Sequence, residues 1–287
     1  MRRRRWLFAV AALVVVAAGC DLPNLRPPSG AEPLRYRDEI FTTVVKTADI
    51  TYGTAVNGSG ETVTLKLDVY RPPASDTVTS RPAIVWVHGG SFSGGNKTSA
   101  ELVDESNVFA RKGYVNASIN YRLEPVGCSS GGATQTCILA IQEAREDAQS
   151  AVAFLRTHAS TYGIDPTRIA IGGSSAGAIT ALHVGYASGG NPTSGVRAAV
   201  SISGGNLLSS IGAGDAAALL FHNTGDPLVP YSWAVNTVNS AQAANLQAFL
   251  KTWQGPGHVP YAQNRTQILT QTTNFLWWVM DLGHAAV

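Results

Sequence analysis

From Ala83 onward, short unbroken apolar runs alternate with segments of helical character, and this alternation limits the chain to few architectures. Ala83–Val87 (AIVWV), Ile169–Ile171, Ala198–Ile202 and Ala217–Phe221 are almost wholly apolar, as strands buried on both sides must be, and Tyr114–Asn120 reads as a further strand of this kind. Between them, Glu101–Lys112, Glu143–Thr157, Trp233–Ala244 and Ala262–Asp281 read as helices, and Gln247–Trp253 as a further strand. In Glu143–Thr157 the residues Ala144, Ala148, Ala151, Val152 and Leu155 share one helical face. Repeated strand–helix–strand units with short connections predict an α/β domain built on a mostly parallel sheet covered by helices on both faces. Upstream, Thr43–Tyr52 and Val63–Tyr70 are β-type runs around the turn-forming NGSGE, an antiparallel hairpin at the sheet edge.

With 287 residues, 45% of them hydrophobic and 14% charged, the chain can bury a large core. No internal repeat and no second domain is visible. The formal charge of +2 is concentrated at the start, in Arg2, Arg3, Arg4 and Arg5. Without these four, 17 basic residues (21 − 4) face 19 acidic ones, which leaves no electrostatic footprint for nucleic acid. The arginines precede an apolar run, Trp6–Ala18, too short to span a bilayer as a helix. Residues 1–19 therefore read as a signal peptide. Ala17-Ala18-Gly19-Cys20 resembles a bacterial lipobox, which predicts lipidation of Cys20 and an extracytoplasmic, membrane-anchored protein; plain secretion is the alternative. Residues 20–40, rich in Pro and charge, read as a linker, and 41–287 as the folded domain. Cys128 and Cys137 flank a Gly/Ser/Thr-rich loop, and a close pair in an exported protein predicts a disulfide. Their spacing makes a poor metal site.

In doubly covered sheets, function collects at the carboxyl ends of the strands. After Val87 comes His88-Gly89-Gly90-Ser91-Phe92, a loop whose glycines let backbone N–H groups approach a developing oxyanion. After Ile171 comes Gly172-Gly173-Ser174-Ser175-Ala176-Gly177. This places Gly-X-Ser-X-Gly between a strand and a helix, the setting that pushes a serine Oγ out of the sheet. Ser174 lacks the second glycine in its own frame, so Ser175 is the candidate nucleophile. Asp226, in the loop after Phe221, is placed to orient a histidine. His258, in the Gly/Pro-rich loop after Trp253, is the candidate general base. The other histidines are in the glycine loop (His88), on or near helices (His158, His183), ahead of the acid (His222) or in the tail (His284).

The order Ser175, Asp226, His258 is that of the α/β-hydrolases. With HGGSFSGG, NYRL (Asn120–Leu123), YGIDPTRIAIGGSSAG, GDPLVPY and GPGHVPY, the chain resembles the esterase/lipase group of that fold, similar to carboxylesterases and hormone-sensitive-lipase-like enzymes. The resemblance implies a serine hydrolase of carboxylic esters, with oxyanion contacts from the backbone of Gly90, Ser91 and Ala176 and no cofactor. Ser91 stands where the group's pattern has a third glycine, which keeps the backbone donor and adds a side chain to the acyl pocket. With no long insertion between the sixth and seventh strands, no large cap is expected. The expected substrate is a short-chain ester, a small molecule or one displayed on a polymer. A serine peptidase of the prolyl-oligopeptidase type and a non-catalytic binding lipoprotein on the same fold are the alternatives. Ser-X-X-Lys, H-E-X-X-H and phosphate-loop patterns are missing from the chain.

Overall fold

A computed structural model describes residues 25–128, 134–186 and 195–284. Residues 1–19, read from the sequence as a signal peptide, and Cys20 lie outside these residues. Eight strands form one sheet: β1 (Val45–Val56), β2 (Thr62–Arg71), β3 (Arg81–Val87), β4 (Val115–Ile119), β5 (Ile164–Ser174), β6 (Ala198–Ile202), β7 (Ala217–Gly225) and β8 (Ala248–Pro256). Their order is β1-β2-β4-β3-β5-β6-β7-β8. The hairpin β1/β2 is antiparallel and joins the sheet antiparallel to β4; every other pairing is parallel.

Helices α2 (Gln135–Thr157), α4 (Ala176–Gly185) and α5 (Tyr231–Ala243) pack on one face of the sheet. Helices α1 (Ala100–Arg111) and α6 (Tyr261–Val279) cover the other, and a short α3 (Ala159–Tyr162) precedes β5. Strand β3 shows why its run is unbroken: Ala83, Val85 and Val87 face the first layer, while Ile84 and Trp86 face the second. All five are fully buried. Ser203–Ala216 connects β6 to β7 without a helix, so among the described residues no cap covers the strand ends there.

Two segments depart from the sequence reading. Helix α2 begins at Gln135, well before Glu143, because Thr134 caps it by accepting the Cys137 N–H (3.2 Å) and because Cys137, Ala140 and Ile141 extend the buried face. The stretch expected to be a linker packs on the domain in its second half. Tyr36 is fully buried edge-on to Tyr114 and donates its N–H to the Lys112 carbonyl (2.8 Å), and Arg35 pairs with Asp76.

Candidate active site

Ser175 lies at the junction of β5 and α4, at φ 53 and ψ −119, and its N–H donates to the Ile202 carbonyl of β6 (2.9 Å). The sequence permits this turn because its flanking residues have no Cβ. On Gly173 or Gly177, that atom would overlap the Val87 carbonyl of β3. The strand, the turn and the helix are thus locked against each other, and the strain at Ser175 is held by the surrounding core. Ser174 points elsewhere. It is buried and faces Glu101 on α1, whose carboxyl burial pushes up to about 7 against the pull of the Ser174 hydroxyl.

The structure brings the three predicted residues together. His258 Nε2 is 2.8 Å from Ser175 Oγ, and its Nδ1 is 2.8 and 3.0 Å from the two oxygens of Asp226. With Asp226 ionised, Nδ1 carries the proton and Nε2 accepts from the serine hydroxyl. Asp226 is fully buried. Burial alone would raise its pKa, but the Val229 N–H, the His258 ring and the Leu228 N–H together hold the carboxyl below its ordinary range. Those two backbone donors lie at 3.0 and 2.9 Å.

Two supporting residues escaped the sequence reading. His222 belongs to β7, which runs four residues beyond Phe221 to Gly225. Fully buried, it donates Nε2–H to the Val229 carbonyl (3.0 Å) and lies 3.4 Å from Asp226, so it backs the turn that carries the acid. Burial lowers its pKa and keeps it neutral. Ser203, at φ 59, accepts the N–H of Val259 on its Oγ (3.0 Å) and so pins the residue after His258. The polar HNTG that ends β7 was the available signal for the first; nothing local marks the second.

The glycine loop lies beside Ser175: a Cβ on Gly89 would sit 3.1 Å from that of Ser175. Among the described residues, the N–H groups of Gly90, Ser91 and Ala176 are given to no other acceptor. His88 is held neutral, its pKa lowered to about 4 by burial; Nδ1–H donates to the Gly89 carbonyl (2.7 Å) and the ring stacks on Tyr121. Tyr121 in turn donates to the His88 carbonyl (3.2 Å). Beside it, Asn120 accepts the Lys97 N–H (2.7 Å), and Arg122 pairs with Asp147 of α2. The NYRL motif is therefore a brace for the glycine loop.

Ser175, Ser91 and Ala176 open into a cavity of about 370 Å³, walled by Ile179, Leu207, Leu228, Trp233 and a Cys128–Cys137 disulfide. Among the described residues, no charged side chain lines it, which suits a neutral, apolar group. Among the described residues, no cluster of His, Cys, Asp or Glu could hold a metal ion.

Two family models match: BD-FAE over residues 67–194 and Phospholipase/Carboxylesterase over residues 139–275. Lipase 1 of Geotrichum candidum is 33% identical over 132 residues, 45% of this chain and 23% of that protein. Phenmedipham hydrolase of Pseudarthrobacter oxydans is 35% identical over 100 residues, 34% of this chain and 19% of its own length. The matched part thus spans about a fifth to a quarter of these relatives. Native esterase 2 of Thermogutta terrifontis superposes with a TM-score of 0.64 at 22% identity, covering 85% of this chain and 95% of the other. The eight-stranded sheet, the matching family models and these likenesses give the chain the α/β-hydrolase fold and make it similar to the esterase/lipase group.

Proposed function

We propose that the protein hydrolyses carboxylic esters through an acyl-enzyme, with Ser175 as nucleophile, His258 as general base and Asp226 as its orienting acid. The observation that carries this reading is the His258 ring, hydrogen-bonded to Ser175 through one nitrogen and to Asp226 through the other. Ser175 Oγ attacks the ester carbonyl while His258 Nε2 takes its proton. The free N–H groups of Gly90, Ser91 and Ala176 hold the negative oxygen that results. Collapse breaks the bond to the alcohol oxygen, which leaves with the proton from Nε2. A water molecule, deprotonated by His258, then attacks the acyl carbonyl, and the carboxylic acid departs as Ser175 regains its proton. Asp226, ionised through the neutral range, stabilises the imidazolium of each step.

The uncharged cavity and the open connection between β6 and β7 support a neutral, short acyl group on a small-molecule or polymer-linked ester. Ser175→Ala is expected to lower turnover of a nitrophenyl acetate by about 10⁴-fold or more, while Ser174→Ala retains it. Wild-type-like activity in Ser175→Ala sinks the assignment. Export and lipidation of Cys20 belong to the same proposal; the disulfide supports an oxidising compartment. Mass spectrometry of the mature N-terminus tests it, and an unmodified residue there ends the lipid anchor.

A further inference from the structure

Ser91 and Phe92, the turn of the glycine loop, both have left-handed backbone, at φ 54 and 63. Non-glycine residues hold such angles only where neighbours fix them. Here the neighbours are residues 124–128. The Glu124 N–H donates to the Phe92 carbonyl (2.9 Å) and the Cys128 N–H to the Ser91 carbonyl (2.8 Å), so both strained residues are held by their own carbonyls. Gly127 presses so closely on Ser91 and Ser93 that a Cβ there would overlap the Ser91 carbonyl.

That segment is tied down at two ends. Upstream, Arg122 pairs with Asp147, and the Glu124 carboxylate accepts the Gly58 N–H at the tip of the β1/β2 hairpin (2.7 Å). Downstream, the tie is covalent. Cys128 is bonded to Cys137, in the first turn of α2, with their Cα atoms 4.4 Å apart. Helix α2 is seated in the core through Ile141, Ala144, Ala148 and Leu155, all fully buried. A continuous chain of contacts therefore runs from the core through α2, the disulfide and the Cys128 N–H to Ser91. Anchoring the Ser91 carbonyl fixes ψ at Ser91 and, with the Phe92 carbonyl also held, keeps the left-handed Ser91 backbone, which carries the Ser91 N–H, from relaxing.

We propose that the Cys128–Cys137 disulfide is a positioning element of the anion site: it holds the Ser91 backbone in the geometry that receives the oxyanion, besides walling the cavity. This rests on the acyl-transfer reading of the site. Its signature is a loss of transition-state stabilisation with ground-state binding kept, because the donors stay present and lose only their aim.

The test compares the oxidised protein, the same protein treated with dithiothreitol, Cys128→Ser/Cys137→Ser and Gly127→Ala. Dithiothreitol converts the cystine to two thiols and is itself oxidised to its cyclic disulfide; thiol titration confirms the change, and far-ultraviolet circular dichroism checks the fold. On a nitrophenyl acetate, kcat is expected to fall about tenfold in all three, part of the 10²–10³ lost when an anion donor is removed outright. KM should stay within about twofold. Affinity for a trifluoromethyl ketone, whose serine adduct places a charged oxygen in the site, should fall in step with kcat. Unchanged kcat in the reduced, folded protein overturns the proposal, as does a rise in KM alone, which would leave the disulfide a mere wall. If the serine variant does not fold, reduction of the intact protein decides the matter, while Gly127→Ala, with the disulfide kept, tests the grip on Ser91 alone. Absence of Ser175-dependent turnover in the oxidised protein would instead defeat the acyl-transfer reading; turnover that needs Ser175 and ignores reduction defeats only this one.

Discussion

Ser175 and Ser91 face each other across the reacting centre with nearly the same φ, 53 and 54, yet their surroundings hold them differently. Ser175 is fixed by the sheet. Its N–H is bonded across to β6, and the glycines on either side leave no room against Val87 of β3. The Ser91–Phe92 turn is fixed by another loop, through two backbone hydrogen bonds, a glycine contact and a disulfide. The geometry of Ser175 therefore cannot relax without disturbing the core, whereas that of the glycine loop can be loosened on its own. Mechanically, the first belongs to global stability and the second to local stability.

That difference can be broken from either side. Gly177→Ala forces a Cβ into the Val87 carbonyl at the sheet, and the expected result is loss of folded protein, or destabilisation by about 4 kcal/mol or more, read by denaturant unfolding. Gly127→Ala places a similar overlap in the loop pair and should leave a folded but slower protein. Similar unfolding by both substitutions would erase the distinction.

Asp226→Asn keeps the shape of the acid and removes its charge. Turnover is expected to fall about 10⁴-fold with the fold intact, because the His258 tautomer and imidazolium lose their support. A loss of tenfold or less would mean that Asp226 is only a structural acceptor for Val229 and Leu228.

A further effect concerns His183 on α4, a fully buried side chain. Its Nδ1–H donates to the Ile179 carbonyl (2.7 Å), and Nε2 accepts the N–H groups of Leu207 and Leu208 (3.3 and 3.0 Å). Burial lowers its pKa from 6.5 to about 4. The unfolded chain takes up the proton first, so the stabilisation is complete above 6.5 and is lost as pH falls through about 4, by roughly 3 kcal/mol. Urea unfolding at pH 7 and pH 4 should show a smaller decline in His183→Asn than in the parent. Since Leu207 walls the cavity, the same bonds tie its far side to α4.

How much of this could be read from the sequence follows from where the signals lie. Strands β3, β6 and β7 were visible because burial on both faces leaves their centres almost wholly apolar, and the meeting of Ser175, Asp226 and His258 because each lies in a loop at a strand end, in the chain order that fold favours. The start of α2 was hidden in a Gly/Ser/Thr-rich stretch, where one threonine cap carries no periodicity. His222 was misplaced as a loop residue because β7 turns polar as it enters the site. The packing of Tyr36 depends on partners at Tyr114 and Lys112, far along the chain. The grip of Cys128 on Ser91 passes through backbone atoms, which no side-chain pattern records.

Which serine of the Ser174-Ser175 doublet reacts is settled by a serine-directed fluorophosphonate probe followed by peptide mass analysis. A single adduct on Ser175 is expected, formed at an undiminished rate in Ser174→Ala and lost in Ser175→Ala. An adduct that persists in Ser175→Ala, or that disappears only with Ser174, would contradict that expectation.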